Sequence, residues 1–288
     1  MRLLAPLALL FMGGCPESGG NQVVSVSFNA LVNGEVAACG EEVMVGVGNE
    51  VAELADARIF ISTLQFRNAE TGEWVDVDLS QNEWQTGGIA LLDFEDGTAA
   101  CADSGTAEMN RVVTGQIIEG EYDSFRYDVG VPFEDNHLDS ASAPAPLNSP
   151  GMFWTWQGGY KFVRVDFAVD TVVRSRWNVH VGSGGCASDA PTTAPTEECV
   201  LPNRATVRLN DFPLEGGRIE VELSELVATA DLGQNTEESP PGCMSAPADG
   251  ADCLPTFSAL GLSIDSGACV DNCDGQRLFD PIVAAAAE

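Results

Sequence analysis

Two tryptophans one residue apart, Trp154 and Trp156, lie in the run Met152-Phe153-Trp154-Thr155-Trp156-Gln157-Gly158-Gly159-Tyr160-Lys161-Phe162. The chain has two histidines, His137 and His180, and they bracket this run. Alternate residues of a strand share a face, so both indoles are expected to point the same way. Plain core packing also uses such pairs. Two imidazoles beside an aromatic strand suggest metal chemistry, because imidazole is a ligand for copper, zinc, iron and nickel. Zinc usually takes three or four protein ligands. Low-coordinate Cu(I) tolerates fewer and softer ones. His180 falls in a strand-like run and His137 at a strand end. For either one alone, an ordinary surface or core histidine is the simpler reading.

Other chemistries are weakly supported. Gly182-Ser183-Gly184 lies near His180 but lacks the Gly-x-Ser-x-Gly elbow and an acid to orient the histidine. Asp93, Glu95 and Asp96 could hold calcium, but their spacing is not that of an EF-hand, and turns use the same residues. Met152 and Met244 offer thioethers that cores also use. No phosphate loop, haem-attachment motif or dinucleotide fingerprint occurs.

The elements that must position these residues read as strands. Val24-Ser25-Val26-Ser27-Phe28-Asn29-Ala30 alternates apolar and polar, as a half-buried strand does. Similar runs cover 57–66, 88–94, 111–118, 124–131, 160–169, 171–181, 205–209 and 218–223, with Gly, Pro, Asn and Asp between them. Residues 223–232 are the best short-helix candidate. The fold class expected is all-β: an antiparallel sandwich of Greek-key type, with long disulfide-stapled loops and few short helices. The loops 136–150 and 182–202 stand out, and 233–288 reads as loop-like and cysteine-rich.

The chain opens with one arginine, a short apolar run and Gly13-Gly14-Cys15. That run is too short to span a bilayer. It reads as a signal peptide over 1–14 of the lipoprotein type, with Cys15 lipidated. A tether over 15–22 and a single domain over 23–288 follow. Any membrane attachment would be through the lipid alone, in the periplasm or at the outer membrane or cell surface. Setting Cys15 aside leaves eight of the nine cysteines, an even number that suggests disulfides in an exported chain. Eight cysteines allow 105 pairings. Pairing neighbours gives Cys39–Cys101, Cys186–Cys199, Cys243–Cys253 and Cys269–Cys273. Thiolate metal ligation is the alternative, although no Cys-x-x-Cys pair occurs. A net charge of −31, from 44 acidic and 13 basic residues, argues against nucleic acid and anionic lipid as partners.

The ordered set of segments resembles the MbnP-type copper-binding family, also called the metallo-mystery pair four-Cys family. The matching stretches are 56–62, Trp84-Gln85 with Ala90 to Asp96, Gly130 to Phe133 with Asn136-His137, Pro146 to Asn148, and 152–162. Further on come His180 to Ser183 with Cys186, Cys199 with Pro202 to Arg204, and Gly242 to Ser245 with Cys253. They span roughly residues 28 to 262.

The resemblance implies an exported protein, not itself an enzyme, that binds one Cu(I) per chain for copper acquisition, storage or delivery. It implies a partner, a di-haem MbnH/MauG-like peroxidase, that oxidises the first tryptophan of the W-x-W motif to kynurenine. The matching residue is Trp154. His137, His180 and Trp154 as kynurenine are then the implied ligands. Indole nitrogen is donor-only, whereas ring opening frees an aromatic amine. Trp156, Gln85, Asp93 and Asn136 are supporting candidates around the site. A surface β-sandwich binding a protein or glycan without metal is the competing reading. The eight remaining cysteines exceed the family's usual four.

Overall fold

The structure, a computed structural model, describes residues 20–171, 175–245 and 249–282. The expected signal peptide over 1–14, Cys15 and most of the expected tether lie outside these residues. The first strand is Asn21–Val32, so the last two tether positions are already strand, Asn21 opposite Ile118. In it Val24, Val26, Phe28, Ala30 and Val32 are buried while intervening residues are partly or fully exposed. This is the alternation of a sheet with one covered face. Burying a side chain such as Phe28 stabilises by about 1.5–3 kcal/mol.

Two sheets pack over one core. The smaller runs in the order Phe279–Ile282, Arg218–Glu222, Asn21–Val32, Val112–Ile118 and Asp78–Leu79. The larger runs Ala205–Asn210, Tyr122–Val129, Glu50–Asn68, Val163–Val169, Arg176–Val181 and Gly242–Cys243. Phe28 of the first meets Tyr127 of the second edge to face, at 5.9 Å between ring centroids. Pairing is mostly antiparallel. Asn21–Val32 nevertheless runs parallel to Arg218–Glu222, and Arg176–Val181 parallel to Gly242–Cys243. The all-β expectation holds.

The long strand Glu50–Asn68 organises the larger sheet. Its first half pairs with Val163–Val169 and its second with Tyr122–Val129. A register shift near Thr63, which has φ of 55°, lets one strand serve both partners. Residues 54–62 are buried on both faces. One face looks into the sandwich. The other lies under loops 136–150 and the hairpin made by Phe153–Thr155 and Gly159–Tyr160.

That outer layer has its own apolar cluster, including Phe60, Leu91, Leu147, Met152, Tyr160 and Phe162.

Disulfides join Cys39–Cys101, Cys186–Cys199, Cys243–Cys253 and Cys269–Cys273. Two expectations for the C-terminal part need correction. The segment 223–232 supplies a 3-10 turn, Leu223–Val227. The supposedly loop-like region contains the helix Gly250–Ala259. Pro255 sits inside that helix and removes one of its internal bonds, which hid it in the sequence. Burial of Phe257, the Cys243–Cys253 bond and a Thr256 Oγ1 to Leu226 O hydrogen bond of 3.0 Å hold it instead. No helix among the described residues is long and apolar enough to cross a membrane.

Candidate metal centre

The covered outer face of the larger sheet carries charge. Asp56 stands opposite Asp166, Arg58 opposite Arg164, and Arg164 opposite His180. Like groups face each other directly, so the attractive contacts run along strands and across diagonals. Arg58 Nε donates to Asp56 Oδ1 at 2.8 Å. Arg164 Nε lies 3.1 Å from both Asp56 Oδ2 and Asp166 Oδ2. All four are buried. Breaking one partner of such an array costs about 3–5 kcal/mol, because it strands a buried charge.

His180 ends this array. Its Nε2 lies 2.8 Å from Asp166 Oδ1. Burial alone would raise the Asp166 carboxyl, but the His180 hydrogen bond and charge and the Arg164 guanidinium together hold it below its ordinary range. An ionised Asp166 accepts a hydrogen bond from Nε2–H, which makes Nδ1 the His180 ring nitrogen available to a metal. Ser245 fixes the same strand edge: its hydroxyl donates to His180 O and accepts from Gly182 N, each at 2.8 Å.

Trp154 approaches from the hairpin. Its ring centroid is 6.5 Å from that of His180. A Cβ on Gly182 would lie 2.6 Å from Trp154 Cζ3, so a glycine is required where the indole edge rests. Lys161 Nζ sits 5.9 Å from the indole centroid and donates to Gly151 O at 2.7 Å. Burial and the neighbouring Arg164 push the Lys161 amine down to about 8, against the pull of Asp166 and Asp56.

His137 follows the short helix Phe133–Asn136 and reaches the turn of the same hairpin. Its Nδ1 is 2.9 Å from the Trp156 carbonyl oxygen. A carbonyl only accepts, so Nδ1 carries the proton and Nε2 offers a lone pair. Burial lowers the tendency of His137 to take a second proton, while the Trp156 bond opposes this. Asn136 Nδ2 touches that lone pair at 3.2 Å, and Asn136 Oδ1 accepts from Tyr160 N at 2.9 Å. Asn136 also reaches Ser183 Oγ at 3.4 Å.

Trp154 and Trp156 do not share a strand face. The strand ends at Thr155, and Trp156 is a turn residue, 41% exposed. It meets His137 through its backbone carbonyl and not through its ring. Gln85 bonds Ser80 O, Thr114 O and Thr114 N, at 3.0, 2.7 and 2.9 Å. It clamps one sheet to the other, and no hydrogen bond links it to either histidine. Asp93 is opposite Arg58 and accepts from Glu95 N at 3.2 Å, two charged neighbours away from His180. Burial and Glu95 push its carboxyl up to about 8 despite Arg58. Asn136 alone of the supporting candidates touches an imidazole through its side chain. Asp166 escaped the sequence reading, and Gly182 and Ser245 entered it only as parts of longer segments, without these roles. Asp166 sits in the alternating run Val163 to Val169, where an acid reads as solvent-facing.

A disulfide-stapled two-sheet protein thus borders one tryptophan hairpin with both its histidines, each with one ring nitrogen engaged and the other carrying a lone pair. The chain belongs to the MbnP family, whose profile matches residues 21–245. It is similar to the solved structure of MbnP from Methylosinus trichosporium, with a TM-score of 0.79 and 31% identity, covering 92% of this chain and 100% of that chain. No curated protein matches it. The helix Gly250–Ala259 and the Cys269–Cys273 bond lie beyond the matched segment.

Proposed function

We propose that this chain is an exported copper(I)-binding protein of copper acquisition or homeostasis, anchored by a lipid on Cys15 and without catalytic activity of its own. The observation that carries the reading is the tautomer arrangement. Asp166 engages Nε2 of His180 and the Trp156 carbonyl engages Nδ1 of His137, so each ring keeps one nitrogen for a metal. Such soft-to-borderline donors suit Cu(I). A metal at His137 Nε2 would displace the contact from Asn136.

Trp154 lies beside His180 as an intact indole, which has no lone pair to give. The proposal is that a di-haem MbnH/MauG-like peroxidase converts it to kynurenine, whose aromatic amine completes the set. The covalent change adds one oxygen and removes one carbon, about 4 Da in all. Gly182 leaves room at the indole edge, and Lys161 and the hairpin turn border the ring.

The test is peptide mapping of residues 150–162 beside copper quantification, on protein made with and without the peroxidase. Mass shift and one tight copper are expected together, and Trp154→Phe is expected to abolish both. The double variant His137→Ala/His180→Ala should bind no copper. Stoichiometric tight copper on protein with an intact Trp154 would remove kynurenine from the reading. Copper-free protein carrying the modification would instead favour a surface sandwich that binds a protein or glycan.

A further inference from the structure

The lone-pair nitrogen of His137 also faces sulfur. Its Nε2 lies 3.6 Å from Cys199 Sγ, and the donor atoms of His137, Cys186 and Cys199 all fall within 4.8 Å of one another. A tetrahedral centre with bonds of about 2.3 Å to sulfur and about 2.0–2.1 Å to imidazole nitrogen has N···S edges of about 3.6 Å. The imidazole therefore already stands at that distance from Cys199, and the S–S bond and the Asn136 contact are what must give way.

We propose that reduction of Cys186–Cys199 creates a second, redox-gated metal site, Cys186/Cys199/His137, for a thiophilic d10 cation such as Zn2+ or Cu+. Three observations support it beyond the distances. First, this disulfide is reachable. Cys186 is half-buried, and Cys199 lines a cavity of about 220 Å³ together with Glu134, Ser183, Glu198 and Arg204. Cys39 and Cys269 are also half-buried, but their partners Cys101 and Cys273 are enclosed, as are Cys243 and Cys253. Second, the backbone beside the bond is paired independently of it. Gly184 and Leu201 exchange two hydrogen bonds of 2.8 and 2.9 Å, which keep the two cysteines on adjoining segments. Third, Glu134 and Glu198 line the same cavity, two acidic side chains of the sign that suits a cation nearby. The comparable group Cys39/Cys101/Glu95 has no imidazole, and its carboxylate is already taken by Gly97 N and Thr106 N at 2.8 and 3.0 Å.

The electrons come from a dithiol reductant. Its thiolate attacks one sulfur of the pair, and its second thiol resolves the mixed disulfide. Two electrons pass to Cys186–Cys199, the reductant leaves as a disulfide, and the two cysteines take up two protons. A divalent ion binding both as thiolates releases those protons. His137 Nε2 cannot serve this site and the Trp154/His180 site together. Reduction therefore withdraws a copper ligand, a consequence that rests on the function proposed above. The thiolate site itself does not.

The experiment uses the full mature chain carrying His180→Ala, in which the copper site is dismantled but the second site is intact. The protein is reduced with a phosphine until thiol mapping finds Cys186 and Cys199 free, then titrated with Co2+ and back-titrated with Zn2+. One equivalent of Co2+ with thiolate-to-cobalt charge-transfer absorption is expected in reduced protein and none in oxidised protein. Cys186→Ser/Cys199→Ser is expected to lose the absorption. His137→Gln, with circular dichroism verifying its fold, should bind at least about tenfold more weakly, having lost one of three protein ligands. Free thiols at both positions without the absorption would overturn the proposal. So would unchanged affinity in His137→Gln, or a Cys186–Cys199 bond that resists reduction while the other three open. Copper retained by oxidised His180→Ala would count against the earlier reading alone.

Discussion

His180 and Asp166 meet diagonally across adjoining strands with 2.8 Å between Nε2 and Oδ1, and Arg164 holds the far oxygen of the same carboxylate at 3.1 Å. The carboxylate fixes both the ring orientation and its tautomer. Outer partners of metal-binding histidines typically contribute about 10–100-fold in affinity. Asp166→Asn keeps an acceptor but removes the charge. Copper affinity, read by competition against a Cu(I) chelator, is expected to fall within that range. An unchanged affinity would show that the pair is structural only.

Gly182 tests the packing of the indole. A methyl group there would meet Trp154 Cζ3 at 2.6 Å and the Tyr160 carbonyl oxygen at 2.5 Å. Neither can yield without moving the hairpin. Gly182→Ala is expected to cost about 1–3 kcal/mol, the usual range for overpacking. Urea unfolding measures the loss, and Trp154 fluorescence should shift with it.

Asp93 gives the fold a pH dependence. Its folded pKa, pushed from the ordinary 3.8 up to about 8 by burial first and Glu95 second, lies above the unfolded value. The folded chain keeps a proton that the unfolded chain has released. This contribution is fully present below about pH 4 and is lost as pH rises to about 8. Asp93→Asn removes the titration. Its stability relative to the parent should climb by up to about 1.4 kcal/mol per pH unit across that window. A constant difference would mean that Asp93 is ionised throughout.

The Cys39–Cys101 bond closes the longest disulfide loop, with a sequence separation of 62. Chain-entropy reasoning gives about 4 kcal/mol for a loop of that size. Replacing both cysteines by serine is expected to lower stability by up to this amount in denaturant titration. Since Cys101 is fully buried, an unpaired hydroxyl there should bring the loss toward that upper figure.

Particular residues explain what the sequence revealed and what it hid. Val24, Val26 and Phe28 announce their strand because one face is apolar and the other polar. His137, His180 and Trp154 stand out by rarity in a chain with two histidines. Asp56, Arg58, Arg164 and Asp166 were silent. Alternation reports which face differs from the other, but it cannot report that a layer of loops covers the polar face as well. Trp156 was misread because a two-residue period assumes the strand continues, and this one stops at Thr155. Gln85 and Asp93 looked like neighbours of the histidines only because their segments did. Their partners depend on pairings far apart in the chain, Gln85 with Thr114 and Asp93 with Arg58.

The hairpin Phe153–Thr155 and Gly159–Tyr160 is a two-stranded sheet of its own, in the ladder of neither large sheet. Outside it, its backbone is tied by Lys161 N to Met152 O and by Gln157 N to Pro191 O, while Asn136 Oδ1 accepts from Tyr160 N. None of these bonds uses an atom of the Trp154 ring. A change to the ring, as proposed above, would therefore break none of these bonds, and the hairpin would hold the ring in place while it occurred. Scaffold and reactive part are thus separable inheritances. Substitutions at Trp154 should change what the protein holds long before they change whether it stands.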